Sequence, residues 1–135
     1  MSWDIFVQDL PRDAATVADI PHDFRPTPLG PRSHIIEKIC EVVPTADFSN
    51  PAWGIIEGGD WSIEVNLGEA KECKSFAFHV RGADEAVGAV ASILDHLGLR
   101  ALDSQTGEFF MPGSMALASF QKWRAYRDRA VHDGG

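Results

Sequence analysis

Long apolar runs are missing from this chain. No stretch approaches the roughly 18 residues that a membrane-spanning helix requires, and Met1 to Leu10 is acidic and strand-like, unlike a basic, apolar secretory leader. The expectation is a cytoplasmic protein without membrane contact. Cysteine is scarce as well. Cys40 and Cys73 do not make a disulfide framework, and free thiols suit a reducing compartment. Cys40 is read as a small core residue. Cys73, standing between Lys71 and Lys74 in an expected loop, is read as an incidental exposed thiol whose pKa those lysines would lower.

Positive charge is the third shortage. Lys and Arg number 12 against 20 Asp and Glu, a net charge of −8. Clustered basic side chains are what give non-specific affinity for nucleic acid, so this balance argues against a phosphate-neutralising protein and suits a basic partner better. The imbalance is also uneven. Lys122, Arg124, Arg127 and Arg129 lie in the last fourteen positions with only Asp128 and Asp133 as acids, which leaves 8 bases against 18 acids before them, a net of −10. Such a tail is suited to packing against its own acidic body. Catalytic signatures are also lacking. There is no Gly-x-Ser-x-Gly, the glycine pairs match neither a dinucleotide nor a phosphate-loop fingerprint, and the five histidines are too scattered for a metal cluster. His34 and Glu37, spaced i, i+3, have no second such pair and read as a solvated helix face. No cofactor and no metal is expected.

What the chain does have is one segment of strict alternation. At 135 residues, 44% hydrophobic and 24% charged, it suits a single domain over 1–135, and that domain is built around residues 61–81. Trp61, Ile63, Val65 and Leu67 fall on one face of a strand, and Phe76, Phe78 and Val80 on one face of the next, because successive side chains point opposite ways. An antiparallel hairpin follows, apolar on one side. Its other side carries Ser62, Glu64 and Asn66, then Ala77, His79 and Arg81.

Around this hairpin the remaining elements take their places. Trp3 to Leu10 alternates as a first strand, with Ile5 and Val7 inward and Asp4, Phe6 and Gln8 outward. Residues 11–30 form a long proline-rich loop, read as a covering segment in which Val17, Ile20 and Phe24 plug the core edge; as a lid it would present His22, Asp23 and Arg25. Pro31 to Val43 is a helix with an apolar stripe of Ile35, Ile36, Ile39, Cys40, Val42 and Val43. Trp53 to Glu57 is a short apolar segment, and Gly58-Gly59 either turns a small hairpin onto Trp61 or bulges one longer strand. A second helix opens at about Gly82 to Glu85, buries Val87, Val90, Ile93, Leu94 and Leu97, and closes at Gly98. Leu99 to Asp103 is a strand, Glu108 to Met111 a short edge strand, and 114–131 a C-terminal helix with Leu117, Phe120 and Trp123 on its apolar side.

Strand, helix, strand, strand, helix, strand is the split βαβ order. The expected fold is therefore α+β, a ferredoxin-like βαββαβ antiparallel sheet with two helices on one face and an appended C-terminal helix. The opposite face is left open, carrying Asp4, Phe6, Gln8, Ser62, Glu64, Asn66, His79 and Arg81. Pairing core with core sets Val65 opposite Phe78, Glu64 opposite His79 and Ser62 opposite Arg81, and directly opposed side chains touch. Glu64, His79 and Arg81 are accordingly the candidates for acid–base work on an anionic ligand; the alternative is a cross-strand ion pair on an exposed sheet.

Ile5 to Leu10 and Lys74 to Arg81 resemble the first- and third-strand motifs of the RNA recognition motif family, fourteen residues in all. The resemblance implies Phe6, Phe76 and Phe78 as base-stacking residues. Ser75 stands where that family has glycine, and turning Phe76 and Phe78 outward would drive His79 and Arg81 into the core at a cost of several kcal/mol. The strand phase is thus opposite to the family's, and nucleic acid is the least favoured partner. The leading expectation is a noncatalytic protein-binding domain, in type like acidic toxin-neutralising immunity proteins, recognising another and possibly basic protein. An enzyme or small-ligand binder on the open face, with Gln8 and Asn66 orienting the ligand, is the alternative, and homodimerisation through that face is a third possibility.

Overall fold

A computed structural model describes residues 3–11, 13–82 and 85–110. The segment expected as a C-terminal helix, 114–131, lies outside the described residues. Seven strands and two α-helices follow in order: β1 (Trp3–Gln8), β2 (Gly30–Pro31), α1 (Arg32–Val42), β3 (Trp53–Glu57), β4 (Ser62–Asn66), β5 (Glu72–Cys73), β6 (Ser75–Arg81), α2 (Glu85–Leu97) and β7 (Arg100–Asp103). The main sheet is antiparallel with the order β3-β4-β6-β1-β7, and β2 pairs with β5 in a separate two-stranded sheet. The protein is therefore α+β. It departs from the expected four-stranded sheet because Gly58-Gly59 turns a hairpin: Trp53 to Glu57 becomes a strand of its own, paired from Trp53↔Asn66 to Glu57↔Ser62, and adds an edge beyond β4.

The expected register of the central hairpin is present, with Val65 opposite Phe78, Glu64 opposite His79 and Ser62 opposite Arg81. Its cause is burial. Trp3, Ile5 and Val7 of β1, Ile63 and Val65 of β4, and Phe76, Phe78 and Val80 of β6 all point to the side covered by α1 and α2, where Ile35, Ile39, Val87, Val90, Ile93 and Leu94 meet them. Each such side chain contributes about 1.5–3 kcal/mol by leaving water, and a one-residue slip of any strand would turn the whole set outward. Helix α1 fits the expected stripe, although only Ile35 and Ile39 are fully buried and Ile36, Val42 and Val43 sit at the margin. Helix α2 ends as expected at Gly98, whose φ of +67° supplies the left-handed residue.

Asp103 is the one charged residue buried among those described. Trp3 donates its indole N–H to the Asp103 carboxylate at 2.7 Å, and the backbone N–H of Gln105 donates to the same oxygen at 2.8 Å. The carboxylate thereby joins the start of β1 to the end of β7 and shapes the following turn. The proline-rich segment is an ordered cover. Arg100 donates to the carbonyls of Pro11 and Ala14 at 2.6 and 2.9 Å and lies 3.7 Å over the Phe109 ring. Asp9 accepts from the Thr27 N–H and hydroxyl, and Glu108 from the Val17 N–H. Of the expected plugs, Ile20 packs with Leu10, Ala14, Leu102 and Phe109, whereas Val17 and Phe24 are half-buried outside that cluster. Leu10 and Ala14 take their place, beside the Pro11 and Ala14 carbonyls that Arg100 holds.

Each outer edge of the main sheet carries one bridge from a neighbouring segment. Ile55 of β3 exchanges backbone hydrogen bonds with Asp47, and Leu102 of β7 is bridged by Phe109. Asp47 is held by its own turn, accepting from the Ser49 N–H at 2.9 Å and hydroxyl at 2.6 Å, and these bonds lower its pKa below the usual aspartate value. Among the described residues, no helix is long and apolar enough to cross a membrane.

Two outcomes follow from these contacts. Asp103→Ala should lower stability by about 1–3 kcal/mol, because the buried hydrogen bond from the Trp3 indole N–H is lost; urea denaturation followed at both far- and near-ultraviolet wavelengths will measure it. A depressed pKa means that the contribution of Asp47 is present above the unfolded pKa and is lost as pH falls through the lower folded value. Asp47→Asn should therefore flatten the acid limb of the urea midpoint measured from about pH 5 down to about pH 2.

Candidate functional site

The side of the sheet away from the helices carries all eight residues expected there: Asp4, Phe6 and Gln8 on β1, Ser62, Glu64 and Asn66 on β4, and His79 and Arg81 on β6. Their alternation with buried neighbours fixes this placement. The β7 end of the face is covered by the 11–20 segment through Leu102, and the rest, from β1 to β3, is open.

Within this face the polar side chains pair differently from the expected trio. His79 Nδ1 lies 2.8 Å from Asp4 Oδ1, the partner across β1↔β6, while Glu64, its opposite number on β4, reaches diagonally to Arg81 at 3.8 Å. The reason is reach. Asp4 is directly opposite His79 and short, so its carboxylate meets the near ring nitrogen; the longer Glu64 extends along the sheet to the guanidinium. The Trp53 ring stacks on the other side of the imidazole, with centroids 5.8 Å apart and an interplanar angle of 20°. Glu64, His79 and Arg81 thus do not converge on one point where a substrate atom would sit. Arg81 is more than half exposed, and its pair with Glu64 is a surface ion pair worth at most about 1 kcal/mol.

A cleft of about 420 Å³ opens at the neighbouring end of the face, lined by Phe6, Gln8, Asn66, Ser75 and Ala77 with the strand ends around them. Gln8 and Asn66 are together here, as expected of ligand-orienting residues, but none of Glu64, His79 and Arg81 lines it. The loop candidates His22, Asp23 and Arg25 are exposed, Arg25 donating to the carbonyl of Phe24, and none of the three lines this cleft. Among the described residues there is no group of three or more His, Cys, Asp or Glu that could hold a metal ion.

Two residues that sequence reasoning did not assign to this face dominate its apolar character. Trp53 and Ile55 of β3 are 36% and 38% exposed and, with Phe6 at 46%, are the exposed large hydrophobic side chains of the described structure. The signal for them was present in the alternation of Trp53, Ile55 and Glu57 against Gly54 and Ile56; it was missed because Gly58-Gly59 left a bulge as good a reading as a hairpin. Phe76 and Phe78, the stacking residues implied by the RNA-recognition resemblance, are buried on the helix side, in edge-to-face contact at 5.3 Å.

Both thiols depart from the roles expected of them. Cys73 is 2% exposed in β5, inside the core cluster, and Cys40 is half-buried on α1. Its pairing with Gly30 turns the Cys73 side chain inward, where Sγ lies 3.3 Å from the carbonyl of Ser75, and burial pushes its pKa up. A two-residue strand is too short to show a period, so the flanking lysines misled the reading. Comparisons with protein-family models, with curated proteins and with solved structures find no match to this chain.

In the native protein a thiol-specific aromatic disulfide should modify Cys73 many-fold more slowly than Cys40, the difference vanishing in denaturant. Peptide mapping of the labelled chain will read this; fast native labelling of Cys73 would contradict its burial.

Proposed function

We propose that the protein is a noncatalytic binding domain that recognises another protein through the open sheet face, with Phe6, Trp53 and Ile55 as the anchors. One observation carries this reading: among the described residues, the exposed large apolar side chains all stand on a single face. Isolated exposed apolar residues are unremarkable, but aromatic residues gathered on one surface are the usual anchors of an interface. The cleft between Phe6, Gln8 and Asn66 offers a seat for a partner side chain beside them. Around the apolar trio the outward acids Asp4, Glu57 and Glu64 outnumber Arg81, which supports a basic partner, as does the net charge of −8.

The candidate acid–base groups Glu64, His79 and Arg81 do not converge and none lines the cleft, which favours this reading over acid–base catalysis. Strand addition is disfavoured where Asp47 occupies the β3 edge at Ile55. In this reading β4, β6, β1 and β7 with the two helices make a ferredoxin-like unit to which β3 adds an edge, and the protein acts in the cytoplasm, in keeping with its free Cys40 and Cys73. An acidic inhibitor or immunity-type protein is the form of function that fits. The cleft supports a second reading, a small ligand held by Gln8 and Asn66.

Phe6→Asp with Trp53→Asp tests the proposal. Both positions face solvent, so the variant should unfold within about 1 kcal/mol of wild type, whereas Phe78→Ala should cost about 3–5 kcal/mol. A partner captured by the wild-type protein, then purified and titrated, should bind the double variant at least about 30-fold more weakly. Its affinity for wild type should fall as salt rises. A partner bound equally by both forms would remove this face from the interaction.

A further inference from the structure

The cleft beside Phe6 is set apart by the charge it lacks. Its lining comes from three adjacent strands: Phe6 and Gln8 on β1, Ser75 and Ala77 on β6, and Asn66 at the end of β4. Register brings them together. Gln8 lies opposite Ser75, and Phe6 lies opposite Ala77, which in turn faces Asn66, so the lining falls on two successive rungs of the sheet. No Asp, Glu, Lys, Arg or His lines this space, although 24% of the chain is charged. Two other clefts of the described structure are each lined by charge, Arg32 and Lys71 in one, and Glu57, Asp60 and Arg81 in the other.

Uncharged hydrogen-bonding groups stand in its place. The carboxamides of Gln8 and Asn66 each offer two donors and an acceptor, and Ser75 adds a hydroxyl. None of these three side chains hydrogen-bonds to another described residue, whereas further along the same face Asp4 meets His79 and Glu64 meets Arg81. Two strand spacings and one pleat step put the Cα atoms of Gln8 and Asn66 about 12 Å apart, so one small molecule can lie against both. Phe6 supplies a flat apolar wall, and Ala77 a short, buried floor.

These properties select a class of ligand. An ion entering the cleft would shed water and meet no counter-charge, which costs free energy. An amide would shed water and regain its hydrogen bonds from Gln8, Asn66 and Ser75, and a flat ring beside it would bury a face on Phe6. The volume of about 420 Å³ lies toward the small end of ligand clefts. We propose that this cleft binds an uncharged planar molecule bearing a carboxamide or an equivalent donor–acceptor edge, its ring against Phe6 and its polar edge on Gln8 and Asn66. The proposal rests on the reading of the cleft as a small-ligand site and names the chemistry that site would take.

Three molecules of one shape and different charge test it: benzamide, which is neutral, benzoate, an anion, and benzamidine, a cation. Each is titrated at neutral pH into the isotope-labelled full chain while the side-chain amide resonances of Gln8 and Asn66 are followed by NMR. Their loss in Gln8→Leu and in Asn66→Leu identifies them. Benzamide should shift both saturably, and the two ions should bind at least about tenfold more weakly. Either leucine variant should weaken benzamide several-fold. Gln8→Glu keeps the shape and adds an anion, so it should turn the preference toward benzamidine, read at Asn66; this keeps the test valid if an apolar replacement disturbs the fold. Benzoate or benzamidine binding the wild-type cleft as tightly as benzamide overturns the proposal and leaves a small-ligand site of another class. A preference unchanged by Gln8→Glu also overturns it, because the carboxamide is then not in contact. If none of the three molecules moves these resonances, the small-ligand reading itself fails and the proposal falls with it.

Discussion

The register of β1 against β6 is the constraint on which the rest of the structure depends. Trp3, Ile5 and Val7 enter the core only when they lie opposite Val80, Phe78 and Phe76, and that pairing simultaneously sets Asp4 beside His79 and Phe6 beside Ala77 on the other face. A shift of one residue would bury a carboxylate and expose an indole. No short turn enforces this register, because about seventy residues of chain separate the two strands; side-chain burial enforces it, with Trp3 and Asp103 closing β7 onto the same strand from the other side. β1 thus lies between β6 and β7, and its alternation sets which of its side chains each face of the sheet carries.

The open face was legible because period-2 alternation survives without tertiary information. Val65 against Phe78 followed from matching apolar sides within one hairpin, where few registers are possible. What lay beyond a hairpin was less legible. Asp4 and His79 come from strands far apart in sequence, so alternation put them on one face and left their contact unstated; Glu64, the nearer acid in sequence, took the assignment instead. β3 was obscured by two adjacent glycines that permit either a turn or a bulge. Cys73 shows the lower limit of the method, since a two-residue strand holds its side chain inward through partners on β2 that no local pattern names. The two described helices were read with little error, as each has an apolar stripe and an identifiable end at Pro44 or Gly98.

Arg100 shows how one side chain replaces a covalent staple. Its guanidinium holds two carbonyls of the proline-rich segment and lies on the Phe109 ring, so the segment after β1, the β7 strand and the residues after it meet at one cation. The segment's own N–H groups at Val17 and Thr27 are held by Glu108 and Asp9, and Arg100 adds a donor from outside for two of its carbonyls.

A bridge at each outer edge of the main sheet limits the kinds of assembly open to this molecule. Asp47 at β3 and Phe109 at β7 take up backbone groups that would otherwise template a strand from another chain, which is the route to open-ended stacking and fibres. Where two copies meet face to face instead, a two-fold axis closes the contact at a pair. Changes on the exposed face can then alter what it holds while the bridges at the two edges stay as they are.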